Sequence, residues 1–69
     1  MLIFKKQNNI ELRTFKDIRS VTITFEDGSQ KEFSNAELAK TALIDENWTS
    51  VTINGKTTLT SKEWLCDTI

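Results

Sequence analysis

Residues 21–33, VTITFEDGSQKEF, decide the fold of this chain more clearly than any other stretch. Their first five residues alternate apolar side chains with threonine, which is the period-two pattern of a strand with one buried face. The Asp-Gly pair that follows indicates a turn. A type I turn with Gly28 in the left-handed conformation pairs Val21 with Phe33 on the apolar face, whereas a two-residue turn would place Phe33 on the polar face. We therefore predict the bulged hairpin.

The segment after this hairpin carries a helix signal. Ser34 and Glu37 have the spacing of a capping box, in which each side chain satisfies a backbone N–H that the helix leaves free. Apolar residues then recur three and four positions apart, as on the buried stripe of a surface helix. We predict a helix over Ser34–Glu46 that ends with Asn47 in the left-handed conformation.

Two further signals describe the C-terminal third. Asn54 and Gly55 lie between threonine-rich segments and form the strongest short hairpin signal of the chain. Thr60 and Glu63 repeat the spacing of a capping box. We predict a hairpin followed by a short second helix that runs through Ile69.

The N-terminal segment, residues 2–14, predicts a hairpin with two possible registers. A three-residue loop at 7–9 pairs Phe4 with Leu12, and a two-residue loop pairs Phe4 with Arg13. Matching of apolar residues favours the three-residue loop. In that register the core face carries Leu2, Phe4, Ile10 and Leu12, and the opposite face carries Ile3, Lys5, Glu11, Arg13 and Phe15.

The expected fold is α+β: a single small domain over residues 1–69 with a mostly antiparallel sheet and the element order ββββαββα. One main helix packs on the sheet, and the short C-terminal helix docks at an edge or on the other face. A chain of this length buries only about 60% of the surface that its unfolded form exposes. Because one cysteine cannot form an internal disulfide and no cluster could hold zinc, we expect a homodimer to supply the missing stability.

The composition excludes most catalytic chemistry. Histidine is absent, and Cys66 is the only thiol. A thiolate nucleophile needs a base or another group that lowers its pKa, so we interpret Cys66 as structural. The carboxylates occupy turn, cap and solvated positions. We expect no enzymatic activity, no cofactor and no bound metal, and an enzyme that relies on carboxylates alone is a distant third hypothesis.

Charge is unevenly distributed along the chain. Residues 1–20 hold five basic and two acidic side chains, a net charge of +3, and the remainder holds four basic and eight acidic ones, a net charge of -4. Such asymmetry can mark a nucleic-acid surface, although a solvated hairpin is the simpler interpretation. Aromatic, aliphatic and arginine side chains together are typical of protein-binding surfaces. The predicted partner-binding residues are Ile3, Lys5, Arg13, Phe15, Lys16 and Arg19.

These observations favour a non-catalytic protein-protein interaction module. Small chains without site chemistry are typical of phage or mobile-element accessory proteins that bind and modulate a host protein, although no motif identifies a family. The alternative is a small nucleic-acid-binding protein that uses the basic N-terminal hairpin. The single cysteine and the lack of a basic and apolar leader predict a cytoplasmic protein, and no apolar run is long enough to predict a membrane span.

Overall fold

The computed structural model describes residues 2–45 and 47–67. The α+β class is confirmed, with antiparallel strands and one helix among the described residues. The observed order is ββββαβββ. In chain order the elements are β1 (Leu2–Lys6), β2 (Leu12–Phe15), β3 (Val21–Phe25), β4 (Gln30–Phe33), α1 (Ala36–Asp45), β5 (Trp48–Ile53), β6 (Thr57–Thr60) and β7 (Trp64–Asp67).

The strands form two sheets. One has four strands in the order β4-β3-β5-β6, and the other has three strands in the order β2-β1-β7. Helix α1 contacts β3 and β4 of the first sheet and β7 of the second. A single core therefore joins both sheets and the helix. Its buried members are Leu2, Phe4, Val21, Ile23, Phe25, Ala39, Leu43, Trp48, Val51, Ile53, Leu59 and Trp64.

The β3–β4 hairpin has the predicted bulged turn. Val21 lies opposite Phe33, and Gly28 has a φ of 89°, a left-handed value that glycine adopts without steric cost. The Asp27 carboxylate accepts hydrogen bonds from the backbone nitrogen of Ser29 at 2.9 Å and from its hydroxyl at 2.6 Å. Local turn chemistry is sufficient to set this register.

The helix begins slightly later than predicted because Asn35, rather than Ser34, caps it. The Asn35 Oδ1 atom accepts a hydrogen bond from the backbone nitrogen of Glu37 at 2.7 Å. An amide oxygen at the position before the helix satisfies one of the N–H groups that the first turn leaves free. The predicted helix end at Glu46 lies outside the described residues.

The predicted C-terminal helix is wrong, because this segment forms β7. Strand β7 pairs antiparallel with β1, with Cys66 opposite Phe4 and Leu65 opposite Lys5. Trp64 is buried and Cys66 is half-buried, whereas Leu65 is exposed, which is the alternation of a strand. The end of the predicted helix, at Ile69, lies outside the described residues.

The strand is favoured here for two physical reasons. A helix that starts at Thr60 has fewer than the roughly 12 residues at which isolated helices become stable. As a strand, the same segment supplies hydrogen-bond partners to the free edge of β1 and buries Trp64. Glu63 does not complete a capping box: its backbone nitrogen donates to the Thr60 carbonyl at 3.2 Å and closes a turn.

The predicted register of the N-terminal hairpin is also wrong. Phe4 lies opposite Arg13 and Leu2 lies opposite Phe15, which is the register that apolar matching within the pair disfavours. The Phe15 ring packs edge-to-face on the Phe4 ring, with 5.9 Å between the ring centroids. Packing the larger aromatic side chain of Phe15 against the core outweighs leaving Leu12 on the exposed side of the sheet.

Candidate interaction surface

The three-stranded sheet has one side against the core and one side exposed. Leu2 and Phe4 of β1 are fully buried in the core, so the alternating residues Ile3 and Lys5 point to the opposite side. The strand pairings place two residues of β2 and two of β7 on that same side. We call this surface the outer face; it consists of Ile3, Lys5, Leu12, Thr14, Leu65 and Asp67.

Two leucines make the outer face apolar. Leu12 is 57% exposed and Leu65 is 54% exposed, and they lie on either side of Lys5 across the ladder. Ile3, in the central strand, is only 8% exposed. The face therefore presents aliphatic surface around one central ammonium group.

The loop between β1 and β2 carries a further exposed apolar side chain. Ile10, at the tip of the β1–β2 loop, is 92% exposed. The loop is attached to the β6–β7 connection through Gln7, whose backbone nitrogen donates to the Glu63 carbonyl at 2.7 Å and whose Nε2 donates to the Ser61 carbonyl at 2.6 Å. Ile10 is thus displayed on a segment held by tertiary hydrogen bonds.

The predicted partner-binding residues do not all share one surface. Ile3 and Lys5 belong to the outer face, but Arg13 and Phe15 point to the other side of the sheet. Phe15 is half-buried against Phe4, and the Arg13 guanidinium lies 5.5 Å from the centroid of the Phe15 ring. Phe15 therefore contributes to the core margin rather than to the outer face.

Lys16 and Arg19 lie in the β2–β3 connection, which is held by Asn54. The Asn54 Oδ1 atom accepts from the backbone nitrogens of Arg19 at 2.6 Å and Ser20 at 3.1 Å, and its Nδ2 donates to the Asp17 carbonyl at 2.7 Å. The Lys16 and Arg19 side chains are exposed. They lie outside the strand pairs that define the outer face.

Leu12, Leu65 and Ile10 are the exposed residues that sequence reasoning missed as a surface. The disfavoured register already placed Leu12 beside Lys5. The exposure of Leu65 could have been predicted from the alternation of Trp64 and Cys66 with Leu65 and Asp67. This short period-two pattern overlaps the capping-box spacing, which favoured a helix.

Burial and hydrogen bonding shift the pKa values of two described side chains. Burial raises the pKa of the Cys66 thiol above its usual value of 9.0, so this group is protonated at neutral pH. The hydrogen bonds from Ser29 lower the pKa of Asp27, as expected for a turn carboxylate. Within residues 2–45 and 47–67, no three His, Cys, Asp or Glu side chains are placed to hold a metal ion.

Comparison of this chain with protein-family models, with curated proteins and with solved structures found no match. Among the described residues, no helix is long and apolar enough to cross a membrane.

Proposed function

We propose that this chain is a non-catalytic interaction protein that binds another protein through the outer face. The observation that carries the proposal is the pair of leucines, Leu12 and Leu65, each more than half exposed on the same side of a sheet. Contiguous exposed apolar surface on a small protein is typical of interaction sites. This is the action expected of an accessory protein that modulates a host protein.

The charge on the outer face defines the partner further. Lys5 lies between the two leucines in the central strand, and Asp67 lies towards one corner. Face-to-face stacking of two copies would bring the two Lys5 ammonium groups near each other at the centre, which is unfavourable. We infer that the occupant of the outer face is a different protein, with an apolar surface and a carboxylate that meets Lys5.

A homodimer would instead use the free edge of β2. Antiparallel pairing of two β2 strands about Thr14 places Arg13 of each copy opposite Phe15 of the other, a favourable cation–aromatic contact without like charges inside the strand. It would join two three-stranded sheets into one of six strands and would place two outer faces side by side. This second proposal supplies the support that a core of this size needs.

The outer-face proposal is tested with the double variant Leu12→Glu/Leu65→Glu. Quantitative affinity capture from the source organism should recover a stoichiometric protein on the wild-type chain and lose it on this variant. The matched control is Thr58→Glu/Thr60→Glu, which adds the same charge to exposed positions of β6 in the other sheet. Equal recovery on the leucine variant would overturn the proposal.

The homodimer is tested by an engineered disulfide. Thr14 faces itself across the proposed axis at about 5.5 Å between Cα atoms, within the range a disulfide spans. Thr14→Cys in a Cys66→Ser background should give a covalent dimer on oxidation, whereas Thr58→Cys, on the edge strand β6, should not. A monomer by light scattering at high micromolar concentration, with no Thr14→Cys dimer, would exclude the proposal.

The nucleic-acid alternative is weakened by the placement of the basic groups. Lys5 and Arg13 point to opposite sides of the sheet, so the basic residues of the N-terminal hairpin do not form one stripe. We expect no binding to DNA or RNA tighter than about 10⁻⁵ M at physiological salt. A titration that shows submicromolar affinity, lost in Arg13→Glu/Lys16→Glu, would favour this alternative.

A further inference from the structure

A groove separates α1 from β4, on a part of the molecule that the outer face does not include. Its volume is about 360 Å³, which is within the range of small ligand sites. Strand β4 contributes Lys31 and Phe33, and the helix contributes Leu38, Thr41, Ala42 and Asp45.

The apolar lining of this groove is incompletely covered. Phe33 is half-buried, and Leu38 is 60% exposed although it faces the groove. Together with Ala42, these side chains form an aliphatic and aromatic surface large enough for one apolar side chain. The groove has the composition of a specificity pocket.

Beside the groove, β4 is an edge strand with free backbone groups. Phe25 donates its backbone N–H to the Ser29 carbonyl at 2.9 Å. Because hydrogen-bonded and non-hydrogen-bonded residue pairs alternate along an antiparallel ladder, this bond identifies which β4 residues bond to β3. Lys31 and Phe33 consequently bond β3, and the N–H and C=O groups of Gln30 and Glu32 point away from the sheet. An extended chain that pairs with these groups would direct alternate side chains over the groove.

The charge around this edge is acidic. A second hollow, of about 420 Å³, continues from Lys31 past Phe25 towards the turn. The Lys31 ammonium lies 5.8 Å from the centroid of the Phe25 ring, between the two hollows. The carboxylates that line the two hollows are Glu26, Asp27 and Asp45, against the single ammonium of Lys31.

We propose that the β4 edge and the α1–β4 groove bind an extended peptide segment of another protein that has one apolar side chain flanked by basic side chains. The segment adds a strand antiparallel or parallel to β4. Its apolar side chain enters the groove beside Phe33 and Leu38, and its lysines or arginines, two residues away on the same face, meet the carboxylates.

A second copy of this chain does not fit the same edge. In one continuous sheet, the antiparallel pairings that keep three residues of each β4 strand paired place either Lys31 opposite Lys31 or Glu32 opposite Glu32. Like charges directly opposite each other destabilise a strand pair. The occupant is therefore a segment of different sequence, with the opposite charge.

The test uses three capped pentapeptides and the full chain. Their sequences are Lys-Thr-Leu-Thr-Lys, Glu-Thr-Leu-Thr-Glu and Lys-Thr-Ser-Thr-Lys, so that the charge and the apolar side chain change separately. In an NMR titration, the first peptide should shift the amide signals of β4 and of residues 38–45. The other two should bind at least about tenfold more weakly, because each loses one of the two recognition elements.

Charge reversal of the protein sharpens the test. Glu26→Lys/Asp45→Lys changes carboxylates that line the two hollows and should reverse the preference, so that the glutamate peptide binds better than the lysine peptide. Glu11→Lys/Asp17→Lys makes the same change in net charge at exposed positions near β2 and should leave the preference unchanged. Leu12→Glu/Leu65→Glu should also bind normally, which separates this site from the outer face.

Three results would overturn the inference. The first is the absence of any amide shift at about 1 mM of the lysine peptide. The dissociation constant would then lie well above that concentration, which is too weak for a specific site. The second is a shift located on the outer face or near β6 rather than at β4 and α1. The third is equal binding of the leucine and serine peptides, which would show that the groove does not recognise an apolar side chain.

Discussion

The exposed sides of the two sheets are built from the same antiparallel ladder but carry opposite chemistry. The outer face of the three-stranded sheet presents leucines around Lys5. The exposed side of the four-stranded sheet, here called the hydroxyl face, consists of Thr22, Thr24, Ser50, Thr52, Thr58 and Thr60, with Gln30 and Glu32 at the β4 edge.

The hydroxyl face is suited to solvent because its groups bond each other and water. The Thr52 and Thr58 hydroxyl oxygens lie 3.1 Å apart across neighbouring strands, and Gln30 Nε2 donates to the Thr24 hydroxyl at 3.0 Å. The leucines of the outer face have no such contacts to make with water. The hydroxyl face shows what a solvated sheet surface of this chain looks like. The outer face differs from it because aliphatic side chains replace the hydroxyl groups.

The largest expected effect comes from removing the residue that holds β7 in place. Trp64 is 6% exposed, so Trp64→Ala should lower the free energy of unfolding by about 3–5 kcal/mol. That is comparable to the whole stability of a core this small. Urea unfolding followed by circular dichroism measures the change, and the outer face should be lost with it.

Leu65→Ala is the matched control on the same strand. Leu65 is 54% exposed, so its truncation should cost less than about 1 kcal/mol. Equally small effects of Trp64→Ala and Leu65→Ala would show that β7 does not complete the core. They would also contradict the assignment of one buried and one exposed side to this strand.

An intermediate effect is expected where the two sheets are tied together. Asn54 has a φ of 54° and makes three hydrogen bonds to the β2–β3 connection. Asn54→Ala should cost about 1–3 kcal/mol, from lost hydrogen bonds and backbone strain. Asn54→Gly accepts the positive φ and removes only the hydrogen bonds, so it should cost less. A glycine variant as stable as the wild type would show that these bonds contribute nothing.

A smaller effect on stability, with a clear effect on surface chemistry, follows from exchanging the two faces. Leu12→Thr/Leu65→Thr should reduce binding of a hydrophobic dye, and Thr22→Leu/Thr58→Leu should raise it and promote self-association. Stability should change by no more than about 1 kcal/mol in either variant, because the positions are solvent-accessible. Fluorescence titration and light scattering measure the outcome. Unchanged dye binding in the threonine variant would exclude the outer face as the apolar surface.

The smallest effect compares the two sides of β7 through a thiol. Cys66 faces inward, and burial raises its pKa. A cysteine placed at the exposed neighbouring position, as Leu65→Cys with Cys66→Ser, should react with an alkylating reagent at pH 8 about tenfold faster than native Cys66. Equal rates would contradict the inward placement of Cys66.

The same thiol predicts a weak dependence of stability on pH. Because the folded-state pKa lies above the usual value of 9.0, the folded state resists loss of the proton. Stability is therefore retained below pH 9.0 and decreases as the pH rises through the folded-state pKa. Cys66→Ser should remove this alkaline decrease in denaturant titrations above pH 9.0.

Several parts of this fold were predictable because they depend on neighbours in sequence. The bulged β3–β4 turn follows from the Asp-Gly pair and from the need to keep Phe33 on the apolar side. The helix follows from its cap and stripe, with a one-residue shift because Asn35 competes with Ser34 for the same role. The Asn-Gly turn was also predicted, and in the structure its loop includes Lys56, so that β6 begins at Thr57.

The candidate surface was only partly predictable, because it depends on long-range pairing. Ile3 and Lys5 were placed correctly on a second side of the N-terminal hairpin, since alternation along β1 is local. Arg13 and Phe15 were not, because the register of β2 is decided by packing of Phe15 against the core. Leu65 reached the surface only through the pairing of β7 with β1.

By itself the sequence determined the α+β class, the central hairpin, the helix and the absence of histidine chemistry, since composition and short-range turn and cap signals do not depend on the rest of the chain. Tertiary structure alone decided the division into two sheets, the register of β1 with β2 and the conversion of the C-terminal segment from a predicted helix to a strand. In each case, local signals fitted more than one arrangement. The burial of Phe15 and Trp64, and the pairing of the free edge of β1, selected the one observed.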